Sequence, residues 1–158
     1  AIESRNELQK SRLTTKIFEK YGKDLSGKTF ALWGLAFKPG TDDMRDAPSL
    51  VLIRDLIEAG ATVQASDPVA IDAAIKNMDS SWLKDSKITF SEQQYDVLNM
   101  ADALVIVTEW KPFRNPDFQR IISQLASPVI FDGRNQYEPR EMVELGIEYR
   151  AIGRGIKE

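Results

Sequence analysis

The sequence predicts an α/β fold with a doubly wound, mainly parallel sheet of five or six strands behind one leading helix. Short apolar runs, typical of strands buried on both faces, alternate with amphipathic segments of about ten residues. Glycine, proline and aspartate punctuate the boundaries between these segments. The length of 158 residues suits a domain that can bury a core of its own.

The first predicted elements are a helix, a strand, a second helix and a second strand. Residues 2–21 carry widely spaced apolar side chains and are followed by Gly22, which favours a helix. This helix packs either on its own domain or on a second chain. The run at 29–34 is almost wholly apolar and predicts a buried strand. A helix with proline in its first turn follows at 48–59, and a strand follows at 61–66.

The middle of the chain repeats this alternation with weaker signals. Residues 70–78 predict a helix, and 87–90 predict a short strand. Ser91 with Gln94 has the spacing of a capping box, which predicts a helix that opens at Ser91. The segment 77–86 reads as a surface loop.

The last third contains the clearest strand signal. The sequence Ala-Leu-Val-Ile-Val at 103–107 predicts a strand buried on both faces. An Asn–Pro pair then caps a helix that runs to 126, and a strand follows at 129–131. A helix at 139–145 ends before a glycine, and a final strand is predicted at 148–152. Strands and helices in this order imply parallel pairing through right-handed crossovers.

Composition excludes several classes of chemistry. The chain has no cysteine and no histidine, which excludes disulfides, thiolate zinc sites and the commonest nucleophile–base pairs. With 21 basic and 24 acidic residues the net charge is −3, which argues against a nucleic-acid partner. No apolar run has the length of a membrane span, and the polar first residues lack a signal-peptide core. We therefore expect a cytoplasmic protein with no metal site and no membrane partner.

Three loops that follow predicted strands are the candidate site, because ligands of α/β sheets bind at the carboxyl ends of strands. These loops are residues 35–46, 108–114 and 132–136. The first does not match a dinucleotide fingerprint, since the next glycine after Gly34 is Gly40 and the helix begins only near 48.

Charged residues in the first loop allow two interpretations. Lys38 and Arg45 flank Asp42 and Asp43, so they either pair in solvent or form an anion site. A stand-alone small-molecule enzyme would have to use Asp42, Asp43 and Lys38. Asp67, after the second strand, is interpreted as part of an Asp–Pro turn rather than as a ribose-binding acid.

The other two loops leave similar alternatives. Arg134 is either an exposed turn residue, paired with Asp132, or a ligand-binding residue. Trp110 and Phe113 are more typical of packing than of base stacking. No self-sufficient active site is assembled by these residues.

Four ordered motifs resemble one family. GLAFKPGTDDMRDAPS at 34–49, SDP at 66–68, TEWKPF at 108–113 and FDGRN at 131–135 resemble the C-terminal domain of the UDP-glucose/GDP-mannose dehydrogenase family. The resemblance covers essentially the whole chain. Within the family, the motifs are more similar to those of enzymes acting on UDP-glucose than to those acting on GDP-mannose or UDP-N-acetylmannosamine.

The resemblance implies a fold, a division of the chain and a reaction. It implies that 1–22 are the C-terminal part of a central connecting helix and that 23–158 are a Rossmann-like UDP-binding domain. Enzymes of this family oxidise the sugar C6 hydroxymethyl group to a carboxylate with two NAD⁺, through a thiohemiacetal and a thioester. The cofactor fingerprint and the nucleophilic cysteine belong to other parts of such enzymes, so this chain alone is expected to be inactive.

The resemblance also implies roles for individual residues. Phe37, Lys38 and Arg134 are expected to bind the nucleotide sugar, Arg134 in a cleft that subunits share, and Arg45 is expected to approach NAD. No residue of this chain is expected to be catalytic. Homodimers or larger homo-oligomers through the leading helix are implied as well. The rival hypothesis is a stand-alone Rossmann-like module that dimerises through residues 2–21 and binds no ligand.

Overall fold

A computed structural model of the chain describes residues 2–36, 38–44 and 47–152, and for residues 2–11 it describes the helix without the side chains. The predicted α/β class is confirmed by one six-stranded, wholly parallel sheet in the order β3-β2-β1-β4-β5-β6. All six predicted strands are present within one or two residues of their predicted bounds. The strands are β1 (Thr29–Trp33), β2 (Thr62–Ser66), β3 (Ile88–Phe90), β4 (Ala103–Ile106), β5 (Val129–Asp132) and β6 (Glu148–Ala151).

Crossover segments connect successive strands, as parallel pairing requires, and all but the one between β3 and β4 contain α-helix. The helices are α1 (Ile2–Tyr21), α2 (Pro48–Glu58), α3 (Ile71–Lys76), α4 (Ser80–Lys84), α5 (Lys111–Arg114), α6 (Phe118–Gln124) and α7 (Pro139–Leu145), with a 3₁₀ turn at Asp96–Leu98.

Two hydrophobic clusters cover the two faces of the sheet. Alternate residues of β1 point to opposite faces, so Phe30 belongs to one cluster and Trp33 to the other. The first cluster contains the buried residues of α2, and the second contains Ile121 of α6 and Met142 of α7. The crossovers of the first half therefore lie on one face and those of the second half on the other, which is the doubly wound arrangement.

Helix α1 packs on its own domain. Leu13 and Ile17 are buried in the first cluster, and Ile17 has no exposed surface. Thr14 also donates a hydrogen bond to Asp55 of α2 (Oγ1 to Oδ2, 3.0 Å). No crossover helix of the second half lies on this face, so α1 covers β5 there. This answers, for the described side chains of α1, the question that the sequence left open.

The prediction of a helix that opens at Ser91 is wrong. Ser91 Oγ accepts from the Gln93 N–H (3.1 Å), two residues on, and thus closes a turn instead of a capping box. The carbonyl of Gln94 accepts the indole N–H of Trp33 at 2.7 Å, which ties this segment to the sheet. A tertiary contact therefore overrides the local helical signal, and only the 3₁₀ turn at Asp96–Leu98 forms.

Two further local expectations need correction. The segment 77–86, predicted to be a loop, contains α4, whose N-cap Asp79 accepts from the Ser81 N–H. The helix predicted to start at the Asn–Pro pair begins later, because Asp117 is its N-cap and accepts from the Arg120 N–H at 3.2 Å. In both cases an aspartate beside the expected boundary satisfies a free N–H group of the first turn.

Candidate functional site

The carboxyl ends of β1, β4 and β5 lie side by side, because these three strands are neighbours in the sheet. Strand order reverses between β1 and β4, which is where ligands of open α/β sheets bind. The segments that follow these strands, described at 34–36, 38–44, 108–114 and 133–136, therefore meet at one edge, which we call the carboxyl edge. Lys38 and Arg134 are exposed there, whereas Phe37 and Arg45 lie outside the described residues.

The start of the β1 loop is fixed by close contacts to β4 and α2. Gly34 has φ +100°, and a Cβ built on it would lie 2.5 Å from Cβ of Thr108. Thr108 Oγ1 donates to the Ala36 carbonyl at 2.7 Å. Ser49 Oγ donates to the Leu35 carbonyl at 2.5 Å. The exposed part of the loop thus extends from a rigid base, and only glycine fits where the chain leaves the strand.

Asp67 at the end of β2 is buried and holds the same loop. Its Oδ2 accepts from the N–H groups of Leu35 (2.8 Å) and Ala36 (3.4 Å). Its Oδ1 accepts from those of Val69 (2.9 Å) and Ala70 (2.8 Å). Because backbone donors occupy both oxygens, the contacts support the structural interpretation of Asp67 over ribose binding.

Asp132 performs the corresponding task for the β5 loop. This buried carboxylate accepts from the N–H groups of Arg134 (2.8 Å) and Gln136 (2.7 Å). It also accepts from the hydroxyl of Tyr149 on β6 at 2.6 Å. The loop that presents Arg134 is therefore held by an ionised acceptor, which makes stronger hydrogen bonds than a neutral one.

The guanidinium of Arg134 pairs with Glu109 and not with Asp132, the partner named in one of the two interpretations of this residue. Arg134 Nη2 lies 2.5 Å from Glu109 Oε1, and both side chains are 36% exposed. A pair this exposed contributes about 0–1 kcal/mol, so Arg134 can exchange Glu109 for an anionic ligand at little cost. Since Glu109 follows β4 and Arg134 follows β5, only the strand order brings the two together.

Aromatic residues of this edge are mostly packing residues. Phe113 is buried and stacks on Trp33 with ring centroids 5.0 Å apart. Tyr137 donates to the Phe113 carbonyl (2.5 Å), and burial, together with the charge of Asp132, raises the pKa of its hydroxyl. Trp110 is half-buried, and its indole N–H is a buried donor without a hydrogen-bond partner. The carboxyl edge thus retains donor capacity that the chain itself does not use.

A small cavity lies between α1 and the carboxyl edge. Its volume is about 50 Å³. Its lining consists of Arg12, Leu13, Pro48, Val107, Gly133, Arg134 and Ile152. Arg12 could not be predicted as a site residue, because its position on a polar helix face gives no signal in the sequence. Only the packing of α1 across β5 brings Arg12 to the carboxyl edge.

Two larger cavities are less suited to an anion. The one beyond β2 and β3, about 310 Å³, is lined by Asp67, Asp72 and Glu92 and by no basic residue. The one at the amino ends of the strands, about 360 Å³, contains two lysines and two acids. There, burial raises the pKa of Tyr21 to about 12, with the charges of Asp102 and Glu148 adding to the effect.

Among the described residues of the carboxyl edge, the hydroxyls of Ser49 and Thr108 donate to backbone carbonyls and pair with no base. Lys38 and Asp42 are exposed, and the described contacts join neither of them to a base. Within residues 2–36, 38–44 and 47–152, no group of three or more acidic side chains is placed to hold a metal ion. None of the helices in that part of the chain combines the length and apolar character needed to cross a bilayer.

The chain is similar to one family over most of its length. Residues 31–139 match the family model described as "UDP-glucose/GDP-mannose dehydrogenase family, UDP binding domain". The UDP-glucose 6-dehydrogenase of Pseudomonas aeruginosa is 47% identical over 154 residues, which are 98% of this chain and 34% of that protein. The enzyme of the same name from Rhizobium meliloti is 37% identical over 94% of this chain and 32% of its own length. The chain thus spans about a third of the curated relatives it matches.

Solved structures agree with these sequence relatives. A UDP-glucose dehydrogenase from Pyrobaculum islandicum superposes with TM-score 0.70 at 27% identity, over 91% of this chain and 29% of that one. An NDP-N-acetyl-D-galactosaminuronic acid dehydrogenase from Methanosarcina mazei Go1 superposes with TM-score 0.70 at 31% identity, over 92% of this chain and 28% of its own.

Proposed function

Because the chain belongs to the UDP-glucose/GDP-mannose dehydrogenase family, we propose that it is the C-terminal, UDP-sugar-binding domain of an NAD-dependent UDP-glucose 6-dehydrogenase. The observation that carries this proposal is the 47% identity to the Pseudomonas aeruginosa enzyme across nearly the whole chain. Such an enzyme converts UDP-glucose to UDP-glucuronate and reduces two NAD⁺.

The proposed binding residues are Phe37, Lys38 and Arg134. Lys38 is exposed in the loop that follows β1. Arg134 lies in the loop that follows β5, where its backbone N–H donates to Asp132. Lysine supplies a point charge and arginine a planar fork, which together suit a diphosphate and sugar hydroxyls. The weak, exposed contact of Arg134 with Glu109 leaves the guanidinium able to reach a ligand.

The β1 loop does not form the usual dinucleotide cradle in this domain. That cradle needs a glycine-rich turn leading directly into a helix, whereas α2 begins only at Pro48. We therefore propose that NAD is bound mainly elsewhere in the enzyme. From this chain we propose only Arg45 to contact the cofactor, as the family resemblance implies.

The oxidation chemistry is also proposed to depend on groups outside these 158 residues. A thioester route needs a cysteine, and this chain has neither cysteine nor histidine. In this proposal the domain binds and orients the nucleotide sugar and helps to exclude water from the cleft. By itself it turns over no substrate.

Helix α1 is proposed to form the interface of a homodimer or larger homo-oligomer. The proposed location of the protein is the cytoplasm. Residues 12–21 of α1 pack on their own domain, so the proposed contact with a second chain uses the preceding turns of the same helix. An interface there would bring a second copy to the carboxyl edge, beside which α1 lies.

The first test measures binding of UDP to the 158-residue chain by calorimetry, with GDP as the matched competitor. We expect UDP to bind with a dissociation constant near 1 mM, about −4 kcal/mol, because half a cleft supplies only part of the contacts. GDP should bind more weakly. Equal binding of UDP and GDP would contradict the assignment to UDP-sugars.

The second test uses the complete enzyme that carries this domain. Lys38→Ala should raise the KM for UDP-glucose, and Arg134→Ala should lower kcat/KM about tenfold or more, which is about 1.4 kcal/mol of transition-state binding. Lys76→Ala, an exposed lysine on α3, is the matched control and should change neither constant. An unchanged kcat/KM in Arg134→Ala would remove that residue from the site.

A further inference from the structure

We propose that Arg12 and Arg134 together form a phosphate-binding subsite in the small cavity between α1 and the carboxyl edge. The subsite deepens the proposed function, because it assigns a phosphate group of the nucleotide to a particular place and adds Arg12 to the binding residues. Three properties of the cavity support the subsite, namely its volume, its charge and its position.

The shape of the cavity suits a single phosphate group. Its volume is about 50 Å³, and since one water needs roughly 10–15 Å³ of such space, it holds about three to five small atoms or groups. A phosphate has five heavy atoms. The apolar residues Leu13, Val107 and Ile152 line the same cavity as the two arginines. Apolar walls exclude water and strengthen the attraction between an arginine and an anion.

The charge of the cavity is unbalanced in favour of an anion. Within the described part of the chain, the only carboxylate paired with either arginine is Glu109, which is bound to Arg134. Arg12 is exposed, and no carboxylate of the described residues is paired with it. Two arginines thus line one cavity while a single carboxylate pairs with one of them, and this excess of positive charge favours a bound phosphate.

The start of α2 adds to this positive charge. Pro48, its first residue, lines the cavity, and the preceding N-cap residue, Ala47, makes no side-chain capping bond. The first turn of α2 contains no acidic residue, and Ser49 Oγ donates away from the helix to the Leu35 carbonyl. The positive end of the helix dipole is therefore not neutralised by its own side chains. This contribution supports the arginine pair, which carries the proposal.

The position identifies the class of ligand. Apart from Arg12 and Leu13 of α1, the lining residues follow β4, β5 and β6 or open α2, so the cavity lies where α1 meets the carboxyl edge. A phosphate bound there could belong to the diphosphate of a nucleotide or be free inorganic phosphate. Both have the same chemistry of contact with arginine, so the experiment must separate the two sources.

The test titrates the 158-residue chain with inorganic phosphate, pyrophosphate, UDP and uridine, followed by amide NMR shifts of Gly133 and of the first turn of α2. Arg12→Gln should weaken binding of pyrophosphate and UDP about tenfold, equivalent to about 1.4 kcal/mol, and Arg134→Gln should do the same. Arg140→Gln, an exposed arginine of α7 that does not line the cavity, is the matched control and should bind as wild type. Uridine should give no shift at these amides.

The outcomes separate this inference from the proposed function. If UDP binds equally to wild type and Arg12→Gln, the subsite is refuted while UDP recognition stands. If phosphate and pyrophosphate bind through Arg12 but UDP adds nothing over pyrophosphate, the subsite stands as a site for the free anion and the nucleotide assignment fails. Because Arg12 is exposed, its variant should retain the thermal midpoint of wild type. A lowered midpoint together with unchanged affinity would equally refute a binding role.

Discussion

Replacing Asp67 with asparagine should destabilise the domain more than any other isosteric change at the carboxyl edge. The carboxylate accepts four backbone N–H bonds, two on each oxygen, and the residue is only 1% exposed. Asparagine keeps one oxygen, which can still serve Val69 and Ala70. Its NH₂ group must then face the N–H groups of Leu35 and Ala36, where two donors meet.

The expected cost follows from these contacts. The bond from Leu35 is short (2.8 Å) and buried, whereas that from Ala36 is long at 3.4 Å and contributes little. One buried N–H without an acceptor costs about 1–3 kcal/mol, and the two remaining bonds lose the strengthening that an ionised acceptor gives. Together we expect a loss of about 3 kcal/mol in the free energy of unfolding. For a chain of this length that corresponds to a fall of about 6–12 °C in Tm.

Urea denaturation of Asp67→Asn measures this loss directly. Asp72→Asn is the matched control, because Asp72 is an exposed aspartate on α3 in the same region, and it should change stability by less than about 0.5 kcal/mol. Hydrogen exchange supplies a second readout, since the Leu35 amide should lose protection. A loss of less than about 1 kcal/mol in the free energy of unfolding, with the Leu35 amide still protected, would show that this N–H keeps an acceptor in Asp67→Asn.

Three further predictions concern stability. Tyr149→Phe removes the hydroxyl that donates to Asp132 at 2.6 Å and should cost about 1–3 kcal/mol in urea denaturation. Gly34→Ala places a Cβ 2.5 Å from the Thr108 side chain and 2.6 Å from its backbone nitrogen, at φ +100°, and should cost about 3 kcal/mol or more. For Glu148, burial raises the pKa, but hydrogen bonds from two neighbouring cations outweigh it and hold the pKa below its ordinary 4.5. Its ion pairs therefore stabilise the fold above that pH and are lost as pH falls, so Glu148→Gln should flatten the acid limb of the stability curve by less than about 1 kcal/mol.

Matched variants test these three predictions. Gly146→Ala has a similar positive φ, +79°, but open space around the added Cβ, and should cost only about 1 kcal/mol. A cost for Gly34→Ala no greater than that for Gly146→Ala would show that contact with Thr108 is unimportant. For Tyr149→Phe, unchanged exchange at the Arg134 amide would contradict its role in fixing the loop. For Glu148→Gln, an acid limb identical to wild type would show that the ion pairs contribute nothing.

Much of the fold could be predicted because its signals are local. Each strand is a short apolar run between turn residues, and each long helix has a proline, glycine or polar boundary within a few positions of its end. One error occurred where a distant group competed with the local pattern, and two occurred where an aspartate near the expected boundary capped a helix. The Ser91 segment failed as a helix because the Trp33 indole, far away in sequence, takes the Gln94 carbonyl.

The loops of the candidate site could be predicted from the sequence, but the contacts between their side chains could not. The rule for α/β sheets located the three loops, and the family resemblance selected Lys38 and Arg134 within them. The pairing of Arg134 with Glu109 and the arrival of Arg12 at the same edge could not be predicted. These contacts depend on strand order and on the way α1 packs across the sheet.

Hydrophobic periodicity and turn chemistry act over a few residues, so the α/β class, the succession of elements and the loops that could carry charge are predictable from the sequence. The balance of those charges depends on contacts that form only in the folded domain. In the fold, Asp67 accepts hydrogen bonds from four N–H groups, Arg134 pairs with Glu109 and not with Asp132, and two arginines line one cavity. The physical reason is that electrostatic partnership depends on distance in space, which the parallel sheet sets by joining segments that lie far apart along the chain.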